Sequence, residues 1–372
     1  MCALLLCTLT AAAAANSPAS QFLPLVPRWS RPLPAPPAAA PIVVGGLVIV
    51  ALQPMGVVAL NASDGSPVWR VEIAAERPIA ADDERVYVPT GGQIRALELK
   101  TGRPAWNTST GNLTAPPLVH AGWLIAATPG AIGAFRAADG AAVWRRESGA
   151  IEMRPAIDGD LLFLPLLDRR VVALDLPSGS PRWETPLGGE PGEPLAVGGK
   201  VYVTAADKRF YALDADSGDI DWPMRIGAAP RGRAAADDAH VYLVAMDNVL
   251  RALDRGDGAL EWKKSLAYRP SAGPVLVGGA VLIPGAVTTL PTFAPNGAAL
   301  TPVTFPATPV AISNVLQGAN GYPAIAAVTG DLQQPWTLWL LESSTDPPPI
   351  PLADLAALPG TTIAIVPAAL AR

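Results

Sequence analysis

The chain has 372 residues, half of them apolar, with 34 Gly, 41 Pro, 16% charged residues and a formal net charge of −5. That much Gly and Pro argues against a helical protein, since both residues interrupt helices and punctuate turns. The acidic balance and the lack of a basic run give a phosphate backbone nothing to neutralise, so no nucleic-acid partner is expected.

At the N-terminus, residues 1–20 open with Met-Cys-Ala-Leu-Leu-Leu-Cys-Thr-Leu-Thr and the small-residue stretch Ala11–Ala15. Such a run is too short to span a bilayer and suits the apolar region of a secretory signal, with Ala13-x-Ala15 as the cleavage site. Export to the periplasm is the expectation. Leu-Leu-Leu-Cys7 is a poor lipoprotein box, and lipidation of Cys7 stays open. Cys2 and Cys7 are the only cysteines, so the rest of the chain offers no disulfide framework, CxxC metal site or haem-attachment motif. His120 and His240 are too few and too far apart to suggest a His-rich metal site.

From residue 21 onward the chain repeats itself. Ala59-Leu-Asn-Ala-Ser-Asp-Gly65-Ser-Pro-Val-Trp69 recurs as Ala96…Gly102…Trp106, Ala134…Gly140…Trp144, Ala173…Gly179…Trp183, Ala212…Gly218…Trp222 and Ala252…Gly258…Trp262. The Trp-to-Trp intervals are 37, 38, 39, 39 and 40 residues. Weaker copies flank the series. Upstream, Pro27-Arg-Trp29-Ser reads as the end of a unit whose beginning is missing; downstream, Phe293…Gly297…Thr301 keeps the Gly and replaces the Trp, and Trp339-Leu-Leu-Glu342 keeps a leading strand only. Within a unit, Ala196–Thr204 holds a strand end, a Gly-Gly turn and an alternating strand; Phe210–Asp214 is a third strand and the Trp222 segment a fourth. Four short strands in about 38 residues form a propeller blade. The predicted fold is all-β: an eight-bladed β-propeller of four-stranded antiparallel blades over residues 21–343, followed by a Pro-rich tail at 344–372.

Gly at the seventh position follows Asp, Thr or Ser in a hairpin that needs φ > 0. Trp at the eleventh supplies a flat ring to pack between blades, with the first-position Ala leaving it room. Eight fourth strands and eight three-strand runs are out of phase by one. The preferred closure pairs the Trp29 segment with the C-terminal strands, which removes open edges. The alternative uses Pro349–Leu352 as the last strand.

The Ala-Leu-Asp-x-x-(Ser/Thr/Asp)-Gly-x-x-x-Trp motif resembles the repeat of pyrroloquinoline-quinone (PQQ) dehydrogenases and of the outer-membrane assembly lipoprotein BamB. The resemblance covers residues 25–342. On the BamB side it implies a non-catalytic, monomeric scaffold, peripheral to the membrane at most. Its partners would be proteins of the machinery that assembles outer-membrane β-barrels, and no cofactor is expected. In that family a loop after the fourth Trp-bearing strand holds key contacts, with a Leu-x-Leu-Arg core. Here the strand is that of Trp144, and Ile151, Met153 and Arg154 match the core in type and order. They are the candidate partner-binding residues, and an apolar pair beside an Arg would suit an interface. An ordinary inter-blade connection with its apolar residues facing the core is the competing reading.

On the dehydrogenase side the resemblance implies PQQ with Ca²⁺, or another small ligand. Those enzymes are longer and often carry a vicinal disulfide, which this chain lacks, and no catalytic or metal-binding residue is assigned. Asp214-Ala-Asp216-Ser-Gly218-Asp219 has the look of a Ca²⁺ loop but lies on the repeat turn, where turn chemistry explains it. Arg145 with Arg146, Arg169 with Arg170 and Arg231 with Arg233 read as solvated turns, and His120 with Trp123 as core or rim.

Overall fold

The computed structural model describes residues 23–313, 316–317, 323–331 and 333–343; the signal-like segment, the Pro349–Leu352 alternative and the tail lie outside these residues. The described residues form eight antiparallel sheets with no helix. In blades 1 to 7 the four strands pair in sequence order. These blades run from Ile42–Val44 to Pro67–Val71, Ala80–Ala81 to Pro104–Ser109, Leu118–His120 to Ala142–Glu147, Ala156–Asp158 to Pro181–Pro186, Leu195–Val197 to Ile220–Arg225, Ala235–Ala236 to Leu260–Ser265, and Val275–Val277 to Ala299–Thr304. First strands of neighbouring blades approach one another, placing them innermost around the axis. Second strands such as Leu47–Ala51 are buried along their whole length, while outer strands such as Pro104–Ser109 alternate toward solvent.

Blade 8 closes the ring. Pro309–Ile312 and Leu316–Gln317 pair with Pro323–Thr329, which pairs with Thr337–Ser343. The fourth strand is the N-terminal segment Leu25–Pro32, antiparallel to Thr337–Ser343 with Leu25 opposite Ser343 and Pro32 opposite Thr337. This is the preferred closure. Its polar fastening reaches both neighbours: Arg28 bonds the Glu342 carboxylate at 2.5 Å and the Ser63 carbonyl at 2.8 Å, and Arg31 donates to the carbonyls of Asp64 and Gly65.

The apolar core is divided among the seams. Eight clusters of buried residues each combine side chains from two adjacent blades, one cluster per seam. Seven seams share one device, in which a Trp from one blade's outer strand lies against the turn glycine of the next. An added Cβ on Gly65, Gly102, Gly140, Gly179, Gly218 or Gly258 would come within 2.4–2.7 Å of the ring of Trp29, Trp69, Trp106, Trp144, Trp183 or Trp222, and one on Gly297 within 2.9 Å of Trp262. Each indole N–H donates to a carbonyl of the same turn, from Trp69 to Leu99 at 2.7 Å to Trp222 to Arg255 at 3.4 Å. Each repeat Ala is fully buried and stands opposite its own blade's Trp, as Ala59 does Trp69 and Ala173 does Trp183.

The eighth seam, between blades 7 and 8, has no Trp–Gly pair because Thr301 stands at the Trp position. The reason is topological. Blade 8 takes its third and fourth strands from opposite ends of the chain, so it has no covalent turn there to receive a Trp. Leu23, Leu25, Val303, Phe305 and Leu341, with Trp339 packed against them, fill that seam.

Candidate functional site

The connections from an outer strand to the next innermost strand lie on one face, together with the turns between second and third strands. The loop after Trp144 is one of these connections. Ile151, however, is only 1% exposed and packs with Leu162, Leu164 and Leu174 in the seam between blades 3 and 4. The expected exposed apolar pair is therefore corrected: burial takes Ile151 into the core, and Met153, 44% exposed, is the apolar residue presented to solvent. Arg154 is partly buried, and its Nε is shielded from solvent without a hydrogen-bond partner.

Aligning the innermost strands by their pairing shows where Arg154 sits. Ile42, Ala80, Leu118, Ala156, Leu195, Ala235 and Val275 each stand opposite an equivalent second-strand residue, from Ile49 to Leu282. Two residues earlier, where the chain enters the innermost strand, the seven blades carry Ala40, Pro78, Pro116, Arg154, Glu193, Arg233 and Gly273. Charge is thus confined to three consecutive blades, 4 to 6, at the mouth of the axial channel.

Arg233 is exposed, and the protein packed around it pushes its guanidinium pKa down from the usual value by desolvation. Glu193 counters this shift and Arg154 adds to it. The Arg233 backbone is held by close packing of the next blade: a Cβ on Gly273 would lie 1.9 Å from the Arg233 carbonyl oxygen, and one on Gly232, at φ +67°, 2.3 Å from the Gly273 nitrogen. Glu193 follows Gly192, whose N–H donates to the Thr204 carbonyl at 2.7 Å.

The other singled-out residues do structural work. Asp214 accepts from the backbone of Asp216 and Ser217, and Ser217 bonds Asp219, so the Asp-rich segment caps its own turn. Those bonds, chiefly from the Ser217 backbone, hold the Asp214 carboxyl below its usual range. Arg169 and Arg170 occupy a solvated turn, with Arg170 paired to Asp168 and Glu184. Arg146 differs from the expectation, donating across the seam to the Gly179 carbonyl. Arg231 and Arg233 are exposed in a loop, as expected, and Arg231 Nε donates to the Ser271 carbonyl at 3.2 Å. His120 and Trp123 face each other at the end of one hairpin, both partly buried.

Two features of the described residues bear on PQQ with Ca²⁺. The described innermost strands of blades 1 to 7 contain no Phe, Tyr or Trp to form a platform for a planar quinone. Among the described residues no three His, Cys, Asp or Glu side chains are grouped to hold a metal ion.

The blades, seams and closure define an eight-bladed propeller built from the PQQ-type repeat. A model of the family of the outer membrane protein assembly factor BamB matches residues 26–128 and 128–283, more than half of the chain, and the chain belongs to that family. No curated protein sequence matches it. Among solved structures it is similar to BamB from Moraxella catarrhalis, at 19% identity and a TM-score of 0.68, covering 85% of this chain and 99% of that one. It is similar to the quinohemoprotein alcohol dehydrogenase ADHIIG from Pseudomonas putida HK5 at 15% identity and a TM-score of 0.69, covering 91% and 79%. The computationally designed Ika8 protein matches at 13% identity and a TM-score of 0.64, covering 82% and 98%. Likeness this even across an assembly factor, an enzyme and a design speaks for the fold alone.

Proposed function

We propose that this chain is a non-catalytic propeller scaffold of the bacterial cell envelope that mediates protein–protein contacts in outer-membrane β-barrel assembly. The observation that carries the reading is the family match over residues 26–283. The protein works in the periplasm as a monomeric ring, peripheral to the outer membrane, and presents its loop face to a protein partner. Met153 and Arg154 belong to that surface. Ile151 supports it from below as a core anchor of the loop, being buried in the seam. A ring with a Trp–Gly lock at seven of its eight seams is a stiff platform, and stiffness lowers the ordering cost of binding.

The test is affinity capture of the tagged, exported protein from its host envelope. Recovery of a barrel-assembly protein, weakened by Met153→Asp, supports the scaffold. Saturable binding of PQQ with Ca²⁺ to the pure protein, followed by quinone-dependent alcohol oxidation, sinks it.

A further inference from the structure

The axial mouth holds two guanidinium groups that the fold positions and leaves without an ion partner. Arg154 Nε is shielded and unbonded, and neither Arg154 nor Arg233 makes an ion pair within 4.0 Å among the described residues. Two other arginines of this face are engaged: Arg77 Nε donates to the Leu113 carbonyl at 3.0 Å, and Arg231 Nε to the Ser271 carbonyl at 3.2 Å, while Arg269, in the next connection, is exposed. Glu193 lies between Arg154 and Arg233 in blade order and offsets one of their charges, leaving the trio at a formal +1. A shielded guanidinium nitrogen without a partner, as at Arg154 Nε, is costly, and a planar carboxylate meets a guanidinium N–H fork with charge-assisted bonds.

We propose that Arg154 and Arg233, at equivalent register in blades 4 and 6 around Glu193, form a receptor at the axial mouth for a carboxylate side chain of a partner protein. The partner inserts an Asp or Glu into the opening while its surroundings rest on the loop face near Met153. The +1 balance matches one carboxylate, and the close packing of Gly232 and Gly273 holds the backbone from which the Arg233 side chain extends. This proposal rests on the scaffold reading and adds the chemistry of the partner's anchoring residue.

The probe is an end-capped peptide, acetyl-Gly-Asp-Gly-Asp-Gly-amide, with its Asn counterpart as control and sodium succinate as a free small acid. The Nε–H resonances of arginine are followed by NMR in the full-length protein. The Asp peptide should shift two arginine signals saturably, and the Asn peptide should not. Arg154→Gln and Arg233→Gln should each weaken binding by about tenfold, the share of one charge-assisted hydrogen bond. Glu193→Gln should tighten it several-fold by removing a like charge. Unchanged thermal unfolding of the Gln variants certifies the fold, since Arg154 Nε gives up no bond. No saturable shift at millimolar peptide, or affinity unaltered in both Arg variants, overturns the receptor. Succinate binding tighter than the Asp peptide overturns the partner-protein form. Envelope capture separates the two ideas. A partner still captured by the double Gln variant refutes the carboxylate receptor and leaves the scaffold standing. A binding-competent mouth with no envelope partner refutes the scaffold and the partner-protein form together.

Discussion

Replacing Gly179 by Ala tests whether the Trp–Gly seam is a steric lock. Gly179 has φ +69°, and a Cβ there would lie 2.7, 2.8 and 3.0 Å from Cδ2, Cε3 and Cε2 of Trp144. The left-handed backbone alone costs an Ala about 1–3 kcal/mol, offset by about 0.4–1 kcal/mol from a less flexible unfolded chain. The indole cannot retreat freely, because its N–H holds the Leu176 carbonyl at 2.7 Å. Moving it therefore adds about 1–3 kcal/mol of overpacking and lost hydrogen bonding. The expected total is about 2–4 kcal/mol, read from urea unfolding followed by circular dichroism. Repeating Gly179→Ala in a Trp144→Leu background removes the clash and should leave only the backbone cost, giving a coupling of about 1–3 kcal/mol. If the two substitutions instead add within about 0.5 kcal/mol, the ring and the glycine are not in compressive contact and the lock is refuted.

Three further outcomes follow from the seams and the closure. Arg28→Met leaves the Glu342 carboxylate, its side chain 3% exposed, without its partner. Because Arg28 itself is 41% exposed, the expected loss is about 2–4 kcal/mol in urea unfolding, below that of a fully buried pair. Deleting residues 1–32 removes the closing strand, and hydrogen exchange should then lose protection first in Thr337–Ser343, whose outer edge it covers. Burial drives the pKa values of Tyr87, Tyr242 and Tyr268 well up, and Asp82 and Asp237 push the first two further. A raised folded-state pKa means stability is intact below the unfolded value, about 10, and falls as pH rises above it, by about 1.4 kcal/mol per pH unit for each tyrosine. Tyrosinate absorbance should report these three only as the protein unfolds; their ionisation in a still-folded ring would contradict the burial.

The fold was legible because one steric rule recurs at a fixed interval. A Trp cannot dock unless the next turn lacks a Cβ, so Trp69 with Gly102 and Trp183 with Gly218 had to appear as a spaced pair. Sequence inspection assigned the glycines to turn geometry alone. Their second job, giving room to the preceding blade's indole, shows only when consecutive repeats are brought face to face. The phase mismatch of Trp29 likewise pointed to closure by the first strand. It did not show that Thr301 lacks Trp for the same reason, namely that blade 8 has no covalent turn to dock against.

The site was less legible, and the reason is physical. Structural positions announce themselves by sameness across blades, whereas a binding position is a departure from the repeat, visible only at the right register. Alignment on Trp placed Ile151, Met153 and Arg154 in one loop and could not tell which faced the core. Burial takes Ile151 into the core, and strand pairing puts Arg154 two residues ahead of the innermost strand. The same register brings in Arg233, read from the sequence as part of a solvated turn, and Glu193, which that reading did not single out. The signal was present: counting back two residues from each innermost strand gives Pro78 and Pro116, then Arg154, Glu193 and Arg233, then Gly273. That departure from the repeat, on three adjacent blades, is what the proposed carboxylate receptor is built from.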